Sequence, residues 1–177
     1  MTSPASPRFR HAIAAIDWLT DLGSFAGALS LLGIFVFIGG EIIARNIFGI
    51  SFHFSWDVAG YLMGTCFLLS CAAAMKGGSH VRVTALLEVV PRGLARLLEL
   101  FACIMGLAIC VMFSWALIDM AWLSGIRGST AATAFRVPLV YPQAALAAGA
   151  VLLTLQCMAQ LMRLARGEEL ATGPGLE

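Results

Sequence analysis

Charged residues are scarce in this chain and are missing from four long stretches. Only 12% of its 177 residues are Asp, Glu, Lys or Arg, whereas about 25% is usual in soluble proteins. Residues 22–40, 58–75, 100–118 and 137–162 contain none of these, over 19, 18, 19 and 26 positions. Because an α-helix rises about 1.5 Å per residue, each stretch can cross most or all of a hydrocarbon layer about 30 Å thick. The lengths predict four membrane spans.

The apolar runs are continuous, without the alternation of barrel strands, and backbone groups cannot stay unpaired in lipid. We therefore expect an all-α fold, with residues 1–177 forming one four-helix membrane domain. The predicted spans are about 22–44, 57–75, 97–122 and 138–162. Residues 8–21 and 79–91 are predicted to be amphipathic helices in the membrane interface. For residues 8–21 the alternative is a simple extension of the first span.

Ionisable groups are absent from the middle of every predicted span, and Asp119 is placed at the end of the third. The three histidines, His11, His53 and His80, lie outside the spans, whereas a haem-binding bundle needs inward-facing histidines. The five cysteines form no C-x-x-C pair, so disulfide exchange is poorly supported. No zinc spacing, phosphate loop or nucleophile–base motif occurs. The sequence predicts no enzyme, cofactor site or metal site.

The basic residues are distributed unevenly between the predicted loops. If the N-terminus is cytoplasmic, eight Lys and Arg residues lie inside and three outside, which fits the positive-inside rule with both termini inside. The inner residues are Arg8, Arg10, Lys76, Arg82, Arg92, Arg96, Arg163 and Arg166, and the outer ones are Arg45, Arg127 and Arg136.

A few polar and small residues at the span ends predict specific contacts. Glu41 and Arg45 are four residues apart, so they can pair on one helix face. Asp57 suits the first turn of the second helix, because a carboxylate there is favoured by the helix dipole. Trp56 suits the interfacial belt. Small residues four apart allow close helix approach; the pairs are Gly23 and Gly27, Gly60 and Gly64, Ala102 and Gly106, and Ala145 and Gly149.

Several motifs together resemble one family of membrane proteins. They are SWDVAGY at 55–61, KGGSHVRV at 76–83, PLVYPQ at 138–143 and Arg45 after the first span. Over roughly residues 20–165 the chain resembles the small permease subunit, the DctQ-like subunit, of TRAP (tripartite ATP-independent periplasmic) transporters. It departs from the usual pattern at three positions. Asp57 stands where glutamate is usual, Thr84 stands where aspartate often follows the HVRV residues, and Lys76 stands where arginine is often found.

The resemblance implies a set of partners and a location. A large membrane subunit would carry the substrate and ion sites, and a periplasmic binding protein would deliver organic acids to it. The small subunit would scaffold the large one in the bacterial inner membrane, in contact with lipids and not with nucleic acid. Candidate structural or partner-contact residues are Glu41, Arg45, Trp56, Asp57, His80, Arg82, Arg127 and Arg136.

Three other functions are weighed against this one. The nearest is the small subunit of a tripartite tricarboxylate transporter. A second, from another class, is the quinone- or haem-linked membrane anchor of a redox complex, although the spans lack histidine. A third is a stand-alone carrier, which the absence of charge at the middle of the membrane disfavours.

Overall fold

The chain folds into four long helices in the computed structural model, which describes residues 7–52, 54–78, 91–132 and 136–165. The helices are α1 (Pro7–Ile43), α2 (Phe54–Lys76), α3 (Arg92–Arg127) and α4 (Val140–Ala165). All four are long and apolar enough to span a membrane. The described residues contain no β-strand, which confirms the predicted all-α class.

Helix α1 is 37 residues long and joins the predicted interfacial segment 8–21 to the first span without a break. At about 1.5 Å per residue it measures about 55 Å, far more than the hydrocarbon layer requires. The helix is therefore continuous through residues 8–21 and into the first predicted span. The second interfacial segment, with His80 and Arg82, lies outside the described residues, apart from an exposed Pro91 before α3.

The connection from α1 to α2 is short and turns sharply. A π-helical turn, Ala44–Phe48, follows α1, and Gly49 then adopts a left-handed conformation with φ of 66°. A residue with a Cβ rarely adopts this conformation, so glycine suits this position. Helix α2 begins at Phe54 and carries Asp57 in its first turn, as predicted.

Helix α3 extends beyond both predicted ends of the third span. It ends at Arg127, where Gly128 (φ 60°) donates its N–H to the Ser124 and Gly125 carbonyls. The connection to α4 is closed by backbone hydrogen bonds from Ala131 to Val137 and from Leu139 to Ser129, at 2.8 and 3.0 Å. The connection therefore begins at Gly128, six residues after the predicted end of the third span at residue 122.

Helices α1, α2 and α4 contact one another in all three pairs, whereas within the described part of the chain α3 contacts α4 alone. A Cβ added at Gly149 would lie 2.7 Å from the Leu68 Cβ, and one at Gly64 would lie 2.8 Å from a Leu146 methyl carbon. These two glycines allow α2 and α4 to approach closely, as predicted. At Gly60 and Gly106 the added atom would meet nothing within 4 Å.

Candidate functional site at the helix ends and on the face of α3

A charged pair joins α1 to α4 at the end of the bundle predicted to be cytoplasmic. An Arg163 Nη lies 2.6 Å from Asp17 Oδ2, and both side chains are largely buried, with 18% and 24% of their surfaces exposed. The fully buried Gln156 lies beside this pair and accepts a hydrogen bond from the Thr20 hydroxyl at 3.1 Å. Polar side chains thus fasten the two helices where water is largely excluded.

Helix α2 joins the same cluster through its last turn. Lys76 Nζ lies 2.6 Å from the Asp21 carboxylate and 3.4 Å from the Asp17 carbonyl oxygen. From α4, Gln160 donates to the Met75 carbonyl oxygen at 3.1 Å. Each of the three helix pairs is therefore linked by a polar contact. The inner cluster comprises Asp17, Thr20, Asp21, Lys76, Gln156, Gln160 and Arg163.

The opposite end of α1 holds a second polar cluster, built on Glu41. An Arg45 Nη donates to Glu41 Oε1 at 2.8 Å, which confirms the predicted pairing. The same oxygen accepts from the Ser51 hydroxyl at 2.7 Å, and Oε2 accepts from the Phe52 N–H. Glu41 is 2% exposed, while the Arg45 side chain is 55% exposed. The outer cluster, Glu41, Arg45, Ser51 and Phe52, therefore fixes the turn between α1 and α2.

The other predicted candidate residues lie apart from these clusters. Trp56 is exposed on the first turn of α2, beside Asp57. Arg127 ends α3, and Arg136 lies in the following connection with φ of 43°; both are exposed, and neither forms a salt bridge within the described residues. His80 and Arg82 lie outside the described residues.

The sequence interpretation missed the inner cluster. Asp17 and Asp21 fall in the predicted interfacial segment 8–21, and their cationic partners, Lys76 and Arg163, fall just beyond the ends of predicted spans. A usable signal was present: Gln156 and Gln160 are two amides four residues apart in an otherwise apolar span, and such groups commonly bond across membrane helices. Opposite charges at Asp21 and Lys76, both at inner span ends, gave a second signal.

Asp119 lies deeper in the bundle than the sequence indicated. Helix α3 continues for eight residues beyond it, about 12 Å along the axis. Helix α4 runs beside α3: Gly125 lies next to Val140, and Ser114 Oγ lies 2.8 Å from Thr154 Oγ1. Asp119, halfway between Ser114 and Gly125, is therefore at the height of residues 146–149 of α4.

That height corresponds to the middle of the bundle. Leu146 and Gly149 are the residues of α4 that contact Gly64 and Leu68, near the centre of α2. Asp119 itself is exposed and has no ion-pair partner within the described residues. Helix α3 thus runs further than the uncharged stretch 100–118, and Asp119 lies within the helix and not at its end.

These arrangements define a class of protein. The described residues offer no group of three or more His, Cys, Asp or Glu side chains placed to hold a metal ion. Four helices can span a membrane, and the buried polar side chains of the two clusters join neighbouring segments to one another. The molecule is a multi-pass membrane protein with its polar groups committed largely to its own architecture.

The family follows from comparison with known proteins. Residues 34–167 match the family model for the DctQ component of tripartite ATP-independent periplasmic transporters, and the chain belongs to that family. The matched region contains all of α2, α3 and α4. No curated protein and no solved structure shows a match to the chain. The resemblance drawn from the sequence motifs is thereby confirmed.

Membership fixes the general role. The chain is a small subunit of a tripartite transporter. The members of its family are transporter components, and the family is not one of enzymes. Transporters of this kind also contain a large permease and a binding protein.

Proposed function

We propose that this subunit scaffolds the large permease and carries no solute pathway of its own. It enlarges and anchors the immobile part of the transporter while solute crosses through the larger subunit. The organic acid arrives with a periplasmic binding protein, and an ion gradient drives its uptake. The assembly resides in the bacterial inner membrane, with both termini of this chain in the cytoplasm.

The close contact between α2 and α4 is the observation that supports this role best. Their backbones approach so closely at Gly149 that a Cβ would lie 3.1 Å from the Leu68 carbonyl carbon. Buried amides and hydroxyls nearby bond between helices, as Thr20 does with Gln156. A bundle closed in this way suits a rigid support and leaves little room for a hydrated pathway between these helices.

Charge at the ends of the bundle supports anchoring. Lys76 and Arg163 lie together at one end, where the positive-inside rule places the cytoplasm. Moving such charges into hydrocarbon costs several kcal/mol, so they resist tilting of the helices. The exposed Arg127 and Arg136 lie at the other end, next to the connection between α3 and α4. They are the candidates for docking the binding protein.

Reconstitution into liposomes tests the scaffolding role. Alone, the subunit should move no organic acid under a sodium gradient, and uptake should require the large permease and the binding protein. Sodium-coupled uptake by this chain alone would overturn the proposal. So would full uptake by the large permease and binding protein without it.

The docking of the binding protein is tested separately at the outer surface. Arg127→Glu combined with Arg136→Glu should weaken binding-protein association and lower uptake, while leaving the permease complex intact. Unchanged docking and uptake would contradict this part of the proposal. A visible absorption spectrum of the purified complex distinguishes the redox-anchor alternative, since haem would give a Soret band.

A further inference from the structure

Helix α3 has one face that no other described part of the chain contacts, and that face differs from an ordinary lipid-facing surface. Only 6% of its most apolar stretch is buried, against 39% for α4. The side of α3 opposite α4 carries an exposed stripe at helical spacing. Its members are Phe101, Met105, Ala108, Met112, Trp115, Asp119, Trp122 and Ile126.

The stripe carries a carboxylate at the height of the middle of the bundle. Asp119 lies at the height of the middle of α2, about 12 Å inside the outer end of α3. An ionised carboxylate facing hydrocarbon is costly, and ionisable residues in spans generally pair with one another or face a protein interior. Within the described residues no cation pairs with Asp119, and its side chain is exposed on the outward face of α3.

Two tryptophans flank the carboxylate. Trp115 lies one turn before Asp119 and Trp122 one turn after it, and both are exposed on the same face. Tryptophan is enriched among the residues that contribute most of the binding energy at protein interfaces. The exposed face of α1 offers a contrast, because its stripe is apolar and uncharged, as lipid chains require. That stripe is Trp18, Leu22, Phe25, Leu29, Leu32 and Val36.

We propose that this face of α3 binds a transmembrane helix of the large permease, and that Asp119 pairs there with an arginine or lysine. The inference rests on the proposed function, since it names the surface through which the scaffold joins its partner. Charge complementarity identifies the partner. A carboxylate in an apolar helix face is stabilised by a neighbouring helix that carries a cation at the same height.

Photo-crosslinking in membranes from cells that express the complete transporter tests the assignment of the surface. Benzoylphenylalanine replaces Met112 on the α3 stripe, or Phe35 on α1 as the matched control; the two positions are 74% and 75% exposed. The Met112 probe should form an adduct with the large permease, and the Phe35 probe should form none. An adduct from Phe35 alone, an adduct with a second copy of this chain, or none from either position would overturn the assignment.

The role of the charge is tested by co-purification. Asp119→Asn should lower the fraction of large permease retained in detergent about tenfold or more, because the partner's cation loses its counter-charge. Asp119→Glu, which keeps the charge, should restore most of it. Equal retention by the Asn variant and the native chain would overturn the ion pair. The proposed function fails separately, if the native subunit does not retain the permease at all.

Discussion

Two parts of this molecule are built in different ways. Helices α1, α2 and α4 form a group in which every pair is linked by a polar contact at the inner end. Helix α3 contacts α4 alone among the described residues, and the hydroxyl pair of Ser114 and Thr154 is one of these contacts. The three-helix group is held together by its own side chains. Helix α3 presents much of its surface outward.

The difference shows how a small membrane subunit can combine a rigid core with a surface that is free to bind a partner. Lipid supplies no hydrophobic drive between helices, so close packing and polar contacts must hold a bundle together. The three-helix group uses both. Helix α3 leaves a charged, aromatic stripe exposed, which suits contact with another protein more than contact with lipid. Four substitutions test this contrast, each measured on the purified subunit in detergent.

The largest effect is expected where α2 and α4 approach most closely. Gly149→Ala places a Cβ 2.7 Å from that of Leu68, so the two helices must separate. We expect the free energy of unfolding to fall by about 3 kcal/mol, the upper part of the usual range for overpacking. Thermal unfolding followed by circular dichroism measures the change.

Gly106→Ala on α3 is the matched control, because its Cβ meets no atom within 4 Å. It should leave stability unchanged or raise it by up to about 1 kcal/mol through helix propensity. Equal losses from both alanine variants would remove the distinction between the three-helix group and α3.

The next effect concerns the ion pair between α1 and α4. Arg163→Met should destabilise the subunit by about 2 kcal/mol, since it leaves the largely buried Asp17 carboxylate without its cation. Arg127→Met, at the exposed end of α3, serves as the control and should change stability little. A similar melting temperature for both variants would show that the inner cluster does not hold the helices together.

A local effect is expected at the outer cluster. Glu41→Gln removes the charge that accepts from Arg45, Ser51 and the Phe52 N–H. Amide hydrogen exchange at Phe52 should accelerate about tenfold, because the turn after α1 opens more often. Arg45→Met should accelerate it less, since two acceptor contacts remain. Unchanged exchange in the Gln variant would contradict the role given to Glu41.

The smallest effect is expected at the contact of α3. Ser114→Ala removes one hydroxyl, but Thr154 keeps its hydrogen bonds to the Cys110 and Ala150 carbonyls at 3.1 and 3.0 Å. Stability should fall by about 0.6 kcal/mol, the average for polar contacts between membrane helices. Chemical unfolding in mixed detergent micelles measures it. A loss of stability as large as that of Arg163→Met would show that α3 is held as firmly as the helices of the three-helix group.

Much of the fold follows from local patterns. The four uncharged stretches identified four spanning helices, and the spacing of Glu41 and Arg45 identified their pairing. The ends of the helices were less predictable. Helix α3 extends past the uncharged stretch to Arg127, because charged residues can also be helical. The helix ends where Gly128 adopts a left-handed conformation. The contacts of Asp17 with Arg163 could not be foreseen from positions 146 residues apart.

Length, charge and hydropathy alone thus determined that the chain crosses a membrane with four helices, and its motifs determined the family. These properties are local, because the cost of placing a charge or an open backbone in lipid is set residue by residue. Which helices touch was decided only by the tertiary structure. Contacts such as Gly149 with Leu68, and the depth of Asp119, depend on how distant segments align when their surfaces interlock.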